Sequence, residues 1–313
     1  MNSLSKKKPT FINFMGLLGS IVYGYFVVLS LQRLYFLDSG DIHELVDFFD
    51  EATLEALELY GWTLFRYGIL LFVEFFQSEV IVILSYVAFI TSSITFYICL
   101  KNTRSSKHLI YILPLLLMVF LSPNVVNLFA SGIRSGIAFI FLLIAITIRS
   151  TLIRFILLGL SSAIHLSMIP IISFYFLFHI LHDRRINASS LFCFFLLPVY
   201  SFAVTYFAYA YQYNITSVNS SIYFNFLTFY LALMLLFISK KSINNLYGFM
   251  SIGIILIVLA GNLLDISFSR YIGNALILYL FFLVKEGHPD TIKVFSLGYA
   301  PIFALTLFFT YFN

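Results

Sequence analysis

Charge is scarce in this chain. Only 10% of its 313 residues are Asp, Glu, Lys or Arg and 61% are hydrophobic, whereas soluble domains carry about 25% charged residues. With a mean hydropathy of +0.98, water is excluded as the main solvent. Cysteine is nearly absent too: Cys99 and Cys193 lie far apart inside apolar runs, where thiols behave as small hydrophobes, and they give no grounds for a disulfide, a metal site or a redox compartment. There is no Gly-x-x-x-x-Gly-Lys nucleotide loop, no Gly-x-Ser-x-Gly elbow, no His/Cys metal spacing and no soluble nucleotide-sugar domain. Any chemistry must therefore use an activated, lipid-borne substrate, with no cofactor, no metal and no nucleic-acid partner expected.

Apolar runs are plentiful, with 38 Phe and 21 Tyr spread through the chain. A bilayer crossing needs roughly 20 mostly apolar residues. Such runs predict spans at 11–31, 80–100, 109–123, 133–149, 151–166, 168–181, 190–210, 222–239, 246–264, 270–285 and 291–312. The expected fold is all-α: a polytopic integral membrane protein of about 11 transmembrane helices, forming a single transmembrane domain over 1–313. The basic start, Met1 to Lys8, precedes an apolar run too long for a signal peptide and reads as a retained first span. The run from Trp62 to Phe76 is short and carries Arg66 and Glu74, which predicts an interfacial or re-entrant helix. Before it, acids from Asp38 to Glu58 are interleaved with hydrophobics at helical spacing, so 32–79 reads as an acidic amphipathic segment on the outer face.

Cytoplasmic loops collect Lys and Arg, so Lys6, Lys7 and Lys8 put the N-terminus inside, and alternation of the expected spans places 14 of the 18 basic residues inside with them. The acids, which played no part in that assignment, fall outside in 11 of 14 cases. Four arginines remain on the outer side: Arg33, Arg66, Arg134 and Arg270. An arginine at membrane depth costs about 2.5 to 3.5 kcal/mol on insertion scales, so it usually has a partner or a task. Arg33 and Arg66 have acids nearby to pair with; Arg134 and Arg270 each open an apolar span with few.

Arg134 stands in Asn127-Leu-Phe-Ala-Ser-Gly-Ile-Arg134-Ser-Gly-Ile-Ala, among small residues at an expected helix start, a combination suited to an oxyanion such as diphosphate. Ser161-Ser-Ala-Ile-His165-Leu-Ser167 is the expected tip of a hairpin whose ends carry Arg149, Arg154, Arg184 and Arg185, which brings His165 near the level of Arg134. Asp265 lies five residues before Arg270 in another expected outer turn. The functional helices are expected within 127–181 and 262–285.

These motifs, in this order, resemble the Wzy/EpsG-type polysaccharide polymerases. The resemblance rests on Ser39-Gly-Asp41 before an amphipathic stretch, Glu58-Leu-Tyr-Gly-Trp62 before a short helix, Asn127 to Arg134-Ser-Gly-Ile-Ala, Ile164-His165-Leu-Ser167 and Ser269-Arg270-Tyr271. The family often has Tyr soon after the loop Asp, where this chain has Ile42 and His43. The resemblance implies a GT-C-like glycosyltransferase that joins undecaprenyl-diphosphate-linked repeat units of O-antigen, capsule or exopolysaccharide. Its place would be the bacterial cytoplasmic (inner) membrane, with the site facing the periplasm or exterior. The lipid-linked glycan donor and acceptor, membrane lipid, a chain-length regulator and a flippase are the partners it implies. On that reading Arg134 and Arg270 hold diphosphate, His165 and Asp41 act as base or orient the acceptor, and Arg33, Glu58, Trp62, Arg66, Asn127 and Asp265 contribute to substrate binding. Two alternatives are a multipass acyltransferase of cell-surface glycans, using His165 as base, and a lipid-linked oligosaccharide flippase, which needs no base. No internal repeat favours the flippase, and the candidate residues gather on the expected outer side rather than along a path inward.

Overall fold

A computed structural model describes residues 8–36, 46, 64–104, 109–183, 191–210, 230–231, 244–263, 271–286 and 289–311. Twelve helices run through the described residues: α1 (Lys8–Phe36), α2 (Leu64–Phe76), α3 (Val80–Arg104), α4 (Leu109–Phe120), α5 (Pro123–Ala130), α6 (Ile133–Thr147), α7 (Thr151–Ile164), α8 (Met168–Asp183), α9 (Leu191–Ala210), α10 (Leu246–Leu263), α11 (Tyr271–Glu286) and α12 (Pro289–Tyr311). They pack into two compact units, one of residues 1–101 and 126–168, the other of 102–125 and 169–313.

In the first unit, α1 meets α3 where Gly24 lies against Phe89 and Ser93, and Tyr23 stacks on Phe96 with ring centroids 5.1 Å apart. A glycine there lets the helices approach closely enough for dispersion contacts to hold them, since lipid offers no hydrophobic drive for helices to associate. The buried hydroxyls of α3 turn back on their own helix: Thr91 donates to the Val87 carbonyl at 2.7 Å, Ser92 to Ala88 at 2.6 Å and Thr95 to Thr91 at 2.9 Å. Polar groups are thus satisfied without water. The opposite side of α3 exposes Val82, Tyr86, Ile90 and Ile94 at four-residue spacing, and α1 exposes Phe14, Leu17, Leu18, Ile21, Val22 and Tyr25. Apolar stripes of that extent suit acyl chains, not water. Between α2 and α3 the chain turns at Gln77, in the left-handed region at φ 47°.

In the second unit, α11 is the centre: every residue from Tyr271 to Leu283 is buried. A helix that is hydrophobic all round belongs in such a place. Along one side of it runs α10, with Ser251 Oγ donating to the Ala275 carbonyl at 2.7 Å. Lys285 Nζ donates to the Tyr247 hydroxyl at 2.9 Å, and α12 brings Phe295 to within 4.8 Å of the Tyr279 ring. The Phe174 ring of α8 fills the notch at Gly253 of α10, where a Cβ would come within 2.6 Å of it.

The helices follow the expected runs closely, but the eleven full crossings do not. Among the described residues three helical segments are long and apolar enough to span a membrane: Gly16–Phe36, Val80–Thr103 and Pro289–Phe308. A fourth is possible if Ile110–Phe120 and Pro123–Ala130, bent by 56°, count as one broken span. The reason is length. Helices α6, α7 and α8 have 15, 14 and 16 residues, roughly 21 to 24 Å at 1.5 Å per residue, against a hydrocarbon core of about 30 Å. Short polar or kinking breaks, such as Leu121-Ser122 and Ile148-Arg149-Ser150, cut the apolar sequence into pieces that are helical but brief. The strict alternation that assigned sides to the loops therefore does not follow from span counting. The expected span at 222–239 lies outside the described residues apart from Tyr230 and Leu231, as does most of the amphipathic segment before Leu64. The short 62–76 run is a helix over Leu64–Phe76 whose end exposes Phe72, Phe75 and Phe76.

Candidate functional site

The site is built on the chain from α5 to α7, within the first unit. Helix α5 stops at Ala130, and the Asn127 carbonyl gathers three donors: Ser131 N at 3.1 Å, Gly132 N at 2.8 Å and Ser131 Oγ at 3.0 Å. These bonds satisfy carbonyl capacity that a helix end otherwise leaves open. Gly132, at φ −93° and ψ 41°, is the N-cap of α6 and brings no side chain to its first N–H groups. A Cβ at Gly136 would lie 2.8 Å from Phe129 and 3.0 Å from the Leu128 carbonyl, so the elbow folds tightly only because that residue is glycine. Arg134 is the second residue of α6, partly buried, on the first turn after the elbow.

Helix α6 ends at Thr147, and a three-residue turn reverses the chain into α7. The turn is held by Arg154, whose Nη2 donates to the Ile148 carbonyl at 2.7 Å. Buried contact on α7 is confined to Leu158, Ser161 and Ile164, while Leu152, Ile153, Phe155 and Ile156 are exposed. Ser161 Oγ crosses to α6 and donates to the Ala138 carbonyl at 2.7 Å. Four residues on from Ser161 is His165, and four back from Ala138 is Arg134. In antiparallel helices those steps are each one turn in the same spatial direction, so the register that pairs Ser161 with Ala138 sets His165 beside Arg134.

His165 lies in the turn after α7, outside the helices of membrane length. Its backbone is extended, at φ −150° and ψ 107°, its N–H reaches the Ser161 carbonyl at 3.2 Å, and its carbonyl accepts from Met168 N at 2.9 Å. Pro170, in the first turn of α8, suits the new helix because its fixed φ costs nothing there. Burial, and after it the nearby Arg134 guanidinium, lower the imidazole pKa from 6.5 to about 4. At neutral pH His165 is uncharged, with a nitrogen lone pair able to accept a proton, beside a permanent cation able to hold an oxyanion by a two-pronged contact.

Of the other expected site residues, Asn127 is partly buried at the elbow and contributes through its carbonyl. Arg33 is exposed on the last turn of α1, and Arg66 lies on the first turn of α2, with its side chain outside what the structure describes. Asp41, Glu58, Trp62, Asp265 and Arg270 lie outside the described residues. His179 and His182 of α8 lie against aromatic rings, His179 at 4.5 Å from Tyr175 and His182 at 5.8 Å from Phe178, as packing histidines do. Sequence reasoning did not single out three polar residues. One is Ser161, the cross-helix donor. The others are Asn262 and Asn274, in the second unit, buried with no side-chain hydrogen bond among the described residues. An amide inside an apolar helix was the available signal.

No family model, no curated protein and no solved structure matches the chain. The fold and site together define a helical protein with apolar helices suited to a membrane and a histidine near an arginine at one end of a helical hairpin.

Proposed function

We propose that this chain is a membrane glycosyltransferase of the polysaccharide-polymerase type, joining lipid-diphosphate-linked oligosaccharide repeat units at the outer face of a bacterial cytoplasmic membrane. The observation that carries the reading is the register of the α6–α7 hairpin, which brings His165 and Arg134 to the same end of it. The outward orientation is supported by the charge bias of the sequence, with 10 of its 14 acids between residues 38 and 79 and no lysine in that stretch.

In the proposed reaction an acceptor sugar hydroxyl attacks the anomeric carbon of the donor. A glycosidic C–O bond forms, the bond between the anomeric carbon and the diphosphate oxygen breaks, and the electron pair leaves on the diphosphate. Arg134 neutralises that developing charge, the kind of interaction that strengthens in the transition state. The hydroxyl proton passes to a His165 nitrogen. Asp41 is proposed to orient the acceptor. Arg33, Glu58, Trp62, Arg66 and Asn127 complete the proposed substrate path.

The test is the surface-polysaccharide ladder on a gel from a strain lacking the protein. The expected result is loss of every band beyond one repeat, with one-repeat material retained and the ladder restored by wild type but not by Arg134→Ala. A ladder of normal length in the deletion strain removes the polymerase reading. Loss of one-repeat material as well points instead to a flippase.

A further inference from the structure

We propose that Ser161 is a positioning residue: by donating to the Ala138 carbonyl it fixes α7 against α6 at the end of the hairpin where His165 and Arg134 stand. This inference rests on the reading of Arg134 and His165 as the reacting pair. Helix α7 is fastened by a narrow stripe, Leu158, Ser161 and Ile164, and most of its remaining surface is exposed. Two of those three side chains are aliphatic, and aliphatic contact has no direction; it tolerates sliding and rotation. Ser161 is fully buried, and its 2.7 Å bond is directional. At the other end, the turn at 148–150 and the Arg154 bond to Ile148 already fix the start of α7. Ser161 lies ten residues beyond Thr151, roughly 15 Å along the axis, where a small splay about that turn is largest. An angular error of a few degrees there displaces His165 by about an ångström, and a misplacement of that size costs on the order of 100-fold in rate when groups must meet a reacting atom.

The neighbouring chemistry fits this role. Ala138 brings only a methyl group between the helices, Ser135 and Gly136 on the same helix are buried and small, and Ser161 is short enough to reach a carbonyl that already serves its own helix. Ser162, the adjacent hydroxyl, turns back to the Leu158 carbonyl of its own helix at 3.1 Å, so the cross-helix bond belongs to Ser161.

The experiment uses full-length protein in detergent micelles with isotope-labelled histidine. The His165 resonance is assigned by its loss in His165→Gln and titrated in wild type, Ser161→Ala and Ser161→Thr. Polymerisation of lipid-linked repeat units is measured on the same preparations. Ser161→Ala is expected to move the His165 titration up by about one pH unit toward its ordinary value. It is also expected to lower kcat at least tenfold with KM nearly unchanged, and Ser161→Thr, which keeps the hydroxyl, is expected to restore both. An unchanged titration and kcat in Ser161→Ala overturn the positioning role even if His165→Gln is inactive. A shifted titration in Ser161→Ala, with His165→Gln polymerising normally, keeps the positioning geometry and removes the catalytic reading.

Discussion

A histidine beside an arginine is the combination that a search for salt bridges overlooks, because the two repel when both are charged. Here repulsion is useful. Burial and the Arg134 charge keep His165 neutral down to about pH 4, and an anion bound to the guanidinium cancels part of that effect. Inorganic diphosphate is therefore expected to raise the His165 pKa, and Arg134→Gln to raise it without diphosphate, but not fully to 6.5, since burial is the larger cause. Histidine NMR titration checks both, and no response to either change would separate the two residues. The same shift has a stability consequence. The folded pKa lies below that of the unfolded chain, so between about pH 6.5 and 4 the unfolded state binds the extra proton and stability falls as pH drops through that window. Below it His165 contributes no further loss. His165→Gln is expected to flatten this part of the stability profile measured by thermal unfolding in detergent.

At the scale of elements, the hairpin was legible and its joints only partly so. Runs at 133–149 and 151–166 predicted the two helices to within a few residues of α6 (Ile133–Thr147) and α7 (Thr151–Ile164), because apolar content and the polar break at Arg149-Ser150 mark them. The nearness of Arg134 and His165 was also legible, from run lengths alone. What holds them there was not, since a cross-helix bond from Ser161 to a backbone carbonyl has no side-chain partner to show in the sequence. Gly136 was visible only as one small residue among several. Its role predicts that Gly136→Ala forces the elbow apart, against Phe129 and the Leu128 carbonyl, and destabilises the protein by about 1–3 kcal/mol. Chemical unfolding checks this, and a neutral result would mean the elbow yields freely. In the second unit, Asn274 is fully buried with an unpaired amide among the described residues. Replacing such a group by an apolar one of similar shape is neutral to stabilising, so Asn274→Leu is expected to raise the unfolding temperature; a fall would reveal a partner for the amide.

Across the whole molecule, composition announced a helical membrane protein and nearly every helix, yet it overcounted full crossings. Hydropathy reports how apolar a run is, and it does so equally for a lipid-facing helix and for a buried one such as α11; whether the run crosses depends on uninterrupted length and on what surrounds it. Among the described residues, Gly16–Phe36, Val80–Thr103 and Pro289–Phe308 are the helices whose length and apolar content suit a full crossing. Helix α3 is long and apolar enough to separate Glu79 from Lys101 by a full crossing, and an impermeant maleimide is expected to label a cysteine at position 79 but not one at 101 in intact cells. The reverse pattern would turn the proposed orientation over. The central claim, that Arg134 and His165 carry transfer between lipid-linked glycans, is tested most directly by reconstitution. Purified protein is mixed with lipid-diphosphate-linked repeat units, and product length is read on a gel for wild type, Arg134→Ala, His165→Ala and His179→Ala, with EDTA and with magnesium. The account predicts polymer from wild type and His179→Ala in either condition and at least a 100-fold loss in the other two. Polymer from Arg134→Ala or His165→Ala at the wild-type rate, or activity abolished by EDTA and restored by magnesium, would contradict it.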